Sequence, residues 1–352
     1  MNENIKHNNF DLLRLFAAFQ VLIVHSFYHL YTEHNLQLPS GINTFLKFIN
    51  FFPGVSIFFL ISGFLIALSF DKNSNIVEYA KNRILRIYPA LYVNIILSVL
   101  VLYYFGFVQF NCEFFSWLLA HTTIVQFYNP EMFRGFGVGV INGSLWTISV
   151  ELSFYILLPF LMLLFTKNRF YLFFFLLASF MIWMYDLSSS KEFFFNKLLH
   201  SSILPYLFLF VIGIFFYKYL ESLKKYFQDK FLLWFMIYIA FGIMIEYFSI
   251  EKNFLYYFFK WAIFSFLIFL FAFSYRNFSE KLLKRNDYTY GVYIYHMLII
   301  NIFVYLDLVG QSSYVISIIV LSLIFGIFSW HIIEKPFLGM KKRSIFHELH
   351  KK

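Results

Sequence analysis

The sequence predicts an all-α, polytopic membrane protein of about ten transmembrane helices, with both termini cytoplasmic. Three observations carry this. Of 352 residues, 61% are apolar and only 13% charged, and the mean hydropathy of +0.69 lies outside the soluble range. Ten apolar segments are long enough to cross a bilayer core of roughly 30 Å. The cationic residues between them fall mostly on one side. Lipid offers the backbone no partner outside its own segment, so each crossing is expected to be a helix.

The segments lie near 10–30, 51–70, 88–108, 144–165, 170–186, 201–220, 231–248, 254–275, 288–307 and 313–333, the fifth and seventh being short. Of the 28 Lys and Arg residues, 21 belong to the N-terminus, the connections 71–87, 166–169, 217–230 and 276–287, and the C-terminal tail. The opposite connections and their edges hold six: Lys47, Arg134, Lys191, Lys197, Lys252 and Lys260. Arg14 lies inside the first segment. That asymmetry places both termini in the cytoplasm, which an even number of spans requires. The first segment is long enough to span and lacks a small-residue cleavage site, so it is expected to be retained rather than cleaved as a leader.

The longest outside connection, 109–143, contains FFSWLLAHTTIVQFY, too short and too interrupted to span, and is expected to form an interfacial or re-entrant helix. Neither an internal repeat nor an appended soluble domain is expected. The chain reads as one membrane domain in the cell (cytoplasmic, inner) membrane, with its motifs in 10–336 and a tail over 337–352. The net charge of +9 flanks the membrane and does not point to nucleic acid. Cys112 is the single cysteine, which excludes an internal disulfide framework and any Cys-rich metal site.

Ionisable side chains within such helices cost about 2.5–3.5 kcal/mol each on insertion scales, so each needs a reason. In FDLLRLFAAFQVLIVHSF, Arg14 and His25 are 11 residues apart, which returns them to within about 20° of one face after a rise of about 16 Å. Asp11 is one turn before Arg14 and placed to pair with it. An anchoring guanidinium and an interhelical histidine hydrogen bond are the structural readings of Arg14 and His25. His29 follows His25 at the i+4 spacing of metal ligands, yet no further ligand stands nearby, so no metal is expected.

The fourth segment opens NGSLWTISVELSFY and carries Glu151 about 10 Å below the outer boundary, a depth close to that of His25. A carboxylate at the depth of an imidazole is how a base and its orienting acid are arranged, and also how two helices hydrogen-bond. In the ninth segment, YTYGVYIYHMLII buries His296 in a tyrosine-rich seam. His331 and Glu334 form a helix-end cluster before Pro336. In KNRILRIYPALY, Arg83 and Arg86 share a helical face beside Lys81, a pair suited to phosphate or to ordinary positive-inside topology. In FFPGVSIFFLISGFLI, Ser62 and Gly63 permit close helix approach, a kink, or passage of a ligand chain.

Taken together, these stretches resemble the acyltransferase-3 family of integral membrane O-acyltransferases. FDLLRLFAAFQVLIVH is similar to the family's opening Arg and downstream His. FFPGVSIFFLISGFLI resembles its second-helix pattern, KNRILRIYPALY its Arg-x-x-Arg-Ile-x-Pro stretch, GSLWTISVELSFYILLP its fourth-helix pattern with Trp146 and Glu151, and YGVYIYH its ninth-helix pattern ending in His296. The matches occur in order over about residues 10–336.

The resemblance implies O-acyl transfer, usually of acetyl, from cytoplasmic acyl-CoA to a hydroxyl of a sugar, surface polysaccharide, lipopolysaccharide or lipid-linked glycan beyond the membrane. It implies His25 as catalytic histidine, Arg14 as its companion, Arg83 and Arg86 as binders of the CoA phosphates, and Glu151 as motif acid. On this basis the pantetheine arm is expected to pass Ser62 and Gly63, with Glu151 holding the His25 tautomer. His25 acts either as base or as acyl carrier. Membrane lipid and a glycan acceptor are the expected partners, and acyl-CoA the donor. A transporter or flippase remains the rival, although related halves with matching interrupted helices are not apparent.

Overall fold

The computed structural model describes residues 8–32, 34–72, 75–168, 170–190, 192–227, 230–275 and 278–340. Among these residues the regular structure is helical throughout, without a strand. Seven helical stretches are long and apolar enough to cross a membrane by length and composition: Phe10–Thr32, Ser40–Lys72, Ile76–Tyr104, Gly143–Lys167, Phe170–Ser188, Phe254–Phe273 and Ser312–Met340. Three shorter apolar helices, Leu207–Lys218, Phe231–Tyr247 and Thr289–Tyr305, complete a set that coincides with the ten expected crossings. The protein is an all-α, multi-pass membrane protein.

The helices are α1 (Phe10–Phe27), α2 (Ser40–Asn50), α3 (Gly54–Lys72), α4 (Ile76–Tyr104), α5 (Cys112–Thr122), α6 (Trp146–Lys167), α7 (Phe170–Ser188), α8 (Phe194–His200) and α9 (Leu207–Lys218). They continue as α10 (Leu220–Phe227), α11 (Phe231–Tyr247), α12 (Phe254–Phe273), α13 (Phe278–Leu283), α14 (Thr289–Tyr305) and α15 (Ser312–Phe328). A π-helical turn extends α1 through Tyr28–Thr32 and another extends α15 through Ser329–Glu334.

Several boundaries differ from expectation. The fifth crossing, α7, is 19 residues and not short. The sixth begins at Leu207 because 201–206 form turns, leaving 12 residues that rise only about 18 Å. The connection expected over 71–87 is largely helix. Asn75 caps α4 by accepting from Val77 N and Glu78 N at 2.9 and 3.2 Å, and Glu78 in the first turn favours the positive end of the helix dipole. In the outside connection, α5 is an 11-residue helix capped by Asn111, the short non-spanning element expected there. Of the tail, residues up to Met340 continue the last helix, and 341–352 lie outside the described residues.

The chain forms two compact units. One comprises 1–17, 51–69 and 160–286, the other 18–50, 70–159 and 287–352. In the first, Asn9 ties the start of α1 to the turn after α12: its backbone N–H donates to Ala272 O at 2.8 Å, its side chain donates to Ser274 O at 2.6 Å, and its Oδ1 accepts from Ser279 N at 2.9 Å. Its core is aromatic, with Phe10 against Phe64 and Phe59 against Phe210 at ring separations of 5.1 and 4.9 Å. An apolar cavity of about 730 Å³ opens between α7, α9 and α12, lined by Phe180, Phe208, Phe216, Trp261 and Phe266. The second unit is organised around α14, whose residues from Thr289 to Asn301 are all buried.

Candidate active site

A helix buried along most of its length must give each of its polar side chains a partner, since an unsatisfied buried group costs about 1–3 kcal/mol. In α14 these partners build the site. Gly291 lets α15 close in: a Cβ there would lie 2.8 Å from the Gly326 Cα. Asn301 pins the connection before α6, with Oδ1 accepting from Val138 N at 2.8 Å and Nδ2 donating to Ile141 O at 3.0 Å. Asn94 of α4 and Asn142 both donate to Ile294 O, at 2.9 and 2.7 Å. Tyr293 OH and Thr147 Oγ1 share a hydrogen bond of 2.9 Å. The Asn-Gly-Ser-Leu-Trp-Thr stretch is therefore seated on α14, with Trp146 half-buried at the start of α6.

His296 is fully buried on α14. Its Nδ1 lies 2.6 Å from Tyr293 O and its Nε2 lies 3.2 Å from Nδ1 of His25, which is half-buried on α1. The rings of His25 and His296 are 5.3 Å apart, and His29 adds a third imidazole 5.8 Å from His25. Among the described residues, His25 makes its hydrogen bond to His296 and none to Glu151. This corrects the expected His25–Glu151 pairing. Glu151 instead accepts a short hydrogen bond from Tyr155, one turn along α6.

Tyr155 leads to the basic pair. Its backbone oxygen accepts from Tyr79 OH at 3.0 Å, and the Arg83 guanidinium lies over the Tyr79 and Tyr155 rings at 5.7 and 5.6 Å. Arg86 forms a mostly buried ion pair with Asp287, Nη2 to Oδ2 at 2.5 Å. Asp287 Oδ1 also accepts from Thr289 N at 3.2 Å, at the start of α14, and Tyr290 OH donates to Ile87 O at 3.1 Å. Arg83 and Arg86 are thus on one helix within a single polar cluster.

The remaining expected residues lie on the following elements. Arg14 and Asp11 occupy successive turns of α1 within the first unit, whereas His25 belongs to the second. Ser62 is buried, and the face of Gly63 is closed by α9: a Cβ there would meet Phe210 O at 2.2 Å. Gly213 is equally tight, with Leu60 O at 2.3 Å from its would-be Cβ. These small residues admit a helix, and on the Gly63 face it is α9 that fills the space where the pantetheine arm was expected. Glu334 is buried, its Oε1 accepting from Ser329 OH at 2.9 Å. Among the described residues, no group of three or more His, Cys, Asp and Glu is arranged to hold a metal ion. Asp287, Asn94, Asn142, Asn301 and Tyr293 were not singled out from the sequence. The amides in LYVNIILS and MLIINIF carry the same signal as His25, a polar group within an apolar run.

The family profile for an acyltransferase domain matches residues 7–331. Over 360 aligned residues the chain is 31% identical to nodulation protein 10 of Rhizobium leguminosarum bv. viciae, covering 97% of this chain and 96% of that one. An O-acetyl transferase of Shigella phage Sf6 is 30% identical over 161 residues, 43% of this chain and 45% of its own. The peptidoglycan O-acetyltransferase OatA of Listeria monocytogenes serovar 1/2a is 31% identical over 131 residues, 33% of this chain and 20% of its own. No solved structure matches. With the helices, the histidine of α1, the paired arginines and a profile match along nearly its full length, the chain belongs to the acyltransferase-3 family of integral membrane O-acyltransferases.

Proposed function

We propose that this enzyme moves an acetyl group from cytoplasmic acetyl-CoA to a hydroxyl of a surface polysaccharide or lipid-linked glycan, in the cytoplasmic (inner) membrane. The observation that carries the reading is that one helix, α14, touches both halves of such a reaction. Asp287, just before its first residue, holds Arg86 at 2.5 Å, and His296, nine residues on, meets His25 at 3.2 Å. From Thr289 to His296 the helix rises about 10 Å. In this reading the anionic end of the donor sits on Arg83 and Arg86, where planar guanidinium forks suit phosphate. Its extended arm brings the thioester to His25.

His25 then takes the proton of the acceptor hydroxyl, the oxygen attacks the thioester carbonyl, and the carbon–sulfur bond breaks. The imidazolium returns the proton to the departing CoA thiolate, leaving an ester and free CoA. Glu151 works at the donor end, through Tyr155, on the setting of Arg83. Acetyl as the group is supported by the names of the phage and Listeria relatives, and a glycan as the acceptor class by that of the Listeria relative.

The test is product identification. The purified full-length protein is placed in proteoliposomes with radiolabelled acetyl-CoA and, separately, host surface polysaccharide and host lipid extract. Label in an alkali-labile ester on a glycan or glycolipid is the expected result. Labelling by a longer acyl-CoA alone corrects the donor, and labelled CoA consumption with no esterified glycan overturns the acceptor class.

A further inference from the structure

His296 has two ring nitrogens, and the structure gives each a partner of defined character. Nδ1 lies 2.6 Å from the carbonyl oxygen of Tyr293, an atom that can only accept. Nδ1 must therefore carry a proton. A neutral imidazole holds one proton, so Nε2 of a neutral His296 presents a lone pair. That lone pair faces Nδ1 of His25 at 3.2 Å, and the bond forms only when the His25 Nδ1 carries the proton. In neutral His25 the Nε2 is then bare.

We infer that His296 is a positioning residue that locks His25 in its Nδ1–H tautomer and leaves the His25 Nε2 as the proton acceptor. This rests on the reading of His25 as the base. His296 fulfils the task that an acid performs in a triad, orienting the ring and selecting its tautomer, but without a charge in the hydrocarbon region. Its own orientation is held by full burial, by the Tyr293 carbonyl and by the Tyr293 ring at 5.7 Å. Among the described residues, the other ionisable group facing His25 is His29, its ring centroid 5.8 Å away on the next turn of the same element.

Four variants of the full chain in proteoliposomes test it, with radiolabelled acetyl-CoA and host lipid extract as probes and size-exclusion elution as the check on folding. His25→Ala is expected to abolish transfer. His296→Leu, which removes the acceptor, is expected to lower kcat by about a hundredfold or more, with the donor KM within about threefold of wild type. His296→Asn keeps a donor for the Tyr293 carbonyl but is too short to offer His25 an acceptor, and is expected to be as slow as the leucine variant. His296→Gln carries its amide oxygen out to the position of Nε2 and is expected to recover kcat to within about tenfold of wild type. Asn and Gln differ by one methylene, so this pair decides even where leucine does not fold. A leucine variant with wild-type kcat, or Asn and Gln variants equally impaired, overturns the inference. Wild-type transfer by His25→Ala instead removes the reading of His25 as the base.

Discussion

The carboxylate of Asp287 holds the Arg86 guanidinium at 2.5 Å with one oxygen and accepts the backbone N–H of Thr289 at 3.2 Å with the other. One side chain thus joins the basic pair of α4 to the first turn of α14, and α14 in turn carries His296.

Both members of that ion pair are largely buried, with side chains 17% and 10% exposed. Removing one partner of such a pair strands the other charge. Asp287→Ala is therefore expected to destabilise the protein by about 3–5 kcal/mol. A thermal melt in detergent reads this as a clear drop in midpoint, and an unchanged melt would show that water already reaches Arg86.

Arg83 is placed differently, over two tyrosine rings. If it binds the donor phosphates, Arg83→Ala raises the KM for acetyl-CoA about tenfold or more and leaves kcat within about threefold, the pattern of lost uniform binding. A kcat loss at constant KM would move Arg83 from donor binding to the chemical step.

Gly63 distinguishes a helix seam from a substrate path. Its missing Cβ would meet Phe210 O at 2.2 Å, so Gly63→Ala forces α3 and α9 apart at a cost of about 1–3 kcal/mol. A lower melting midpoint with an unaltered donor KM is expected. A raised KM in a protein of wild-type stability would restore the pantetheine route past this residue.

His121 belongs to the non-spanning helix α5, is 3% exposed, and has Nδ1 3.1 Å from Trp117 O. Burial lowers its pKa to about 4, with the Trp117 carbonyl opposing. The folded value lies below the ordinary 6.5, so protonation favours the unfolded form. The docking of α5 is at full strength above 6.5 and weakens as pH falls toward 4. Hydrogen exchange over 112–122, corrected for intrinsic rates, should speed up on acidification in the wild type and lose that dependence in His121→Phe.

The ten apolar helical segments were legible because lipid imposes length and apolarity on each one independently. The start of α9 was not: the sequence over 201–206 reads as part of the segment, and only the turns that follow α8 delay the helix to Leu207. His25 and His296 were legible as polar side chains with no business in lipid, and Arg83 and Arg86 as a guanidinium pair on one helical face at the cytoplasmic side. The partner of His25 was not legible, because counting residues yields depth along a helix but not which helix faces it. Depth alone put Glu151 beside His25, and it is the packing of α14 that brings His296 to it. Small residues at Ser62 and Gly63 were equally open between a ligand and a neighbouring helix. At Gly63 the backbone of Phe210 occupies that space.

The most direct test of the central claim compares wild type with His25→Ala in the same proteoliposomes, counting label passed from acetyl-CoA to host glycan or glycolipid. The account predicts transfer by the wild type and none by a folded His25→Ala protein that still binds acetyl-CoA. Equal transfer by both would contradict it and place the chemistry on another residue.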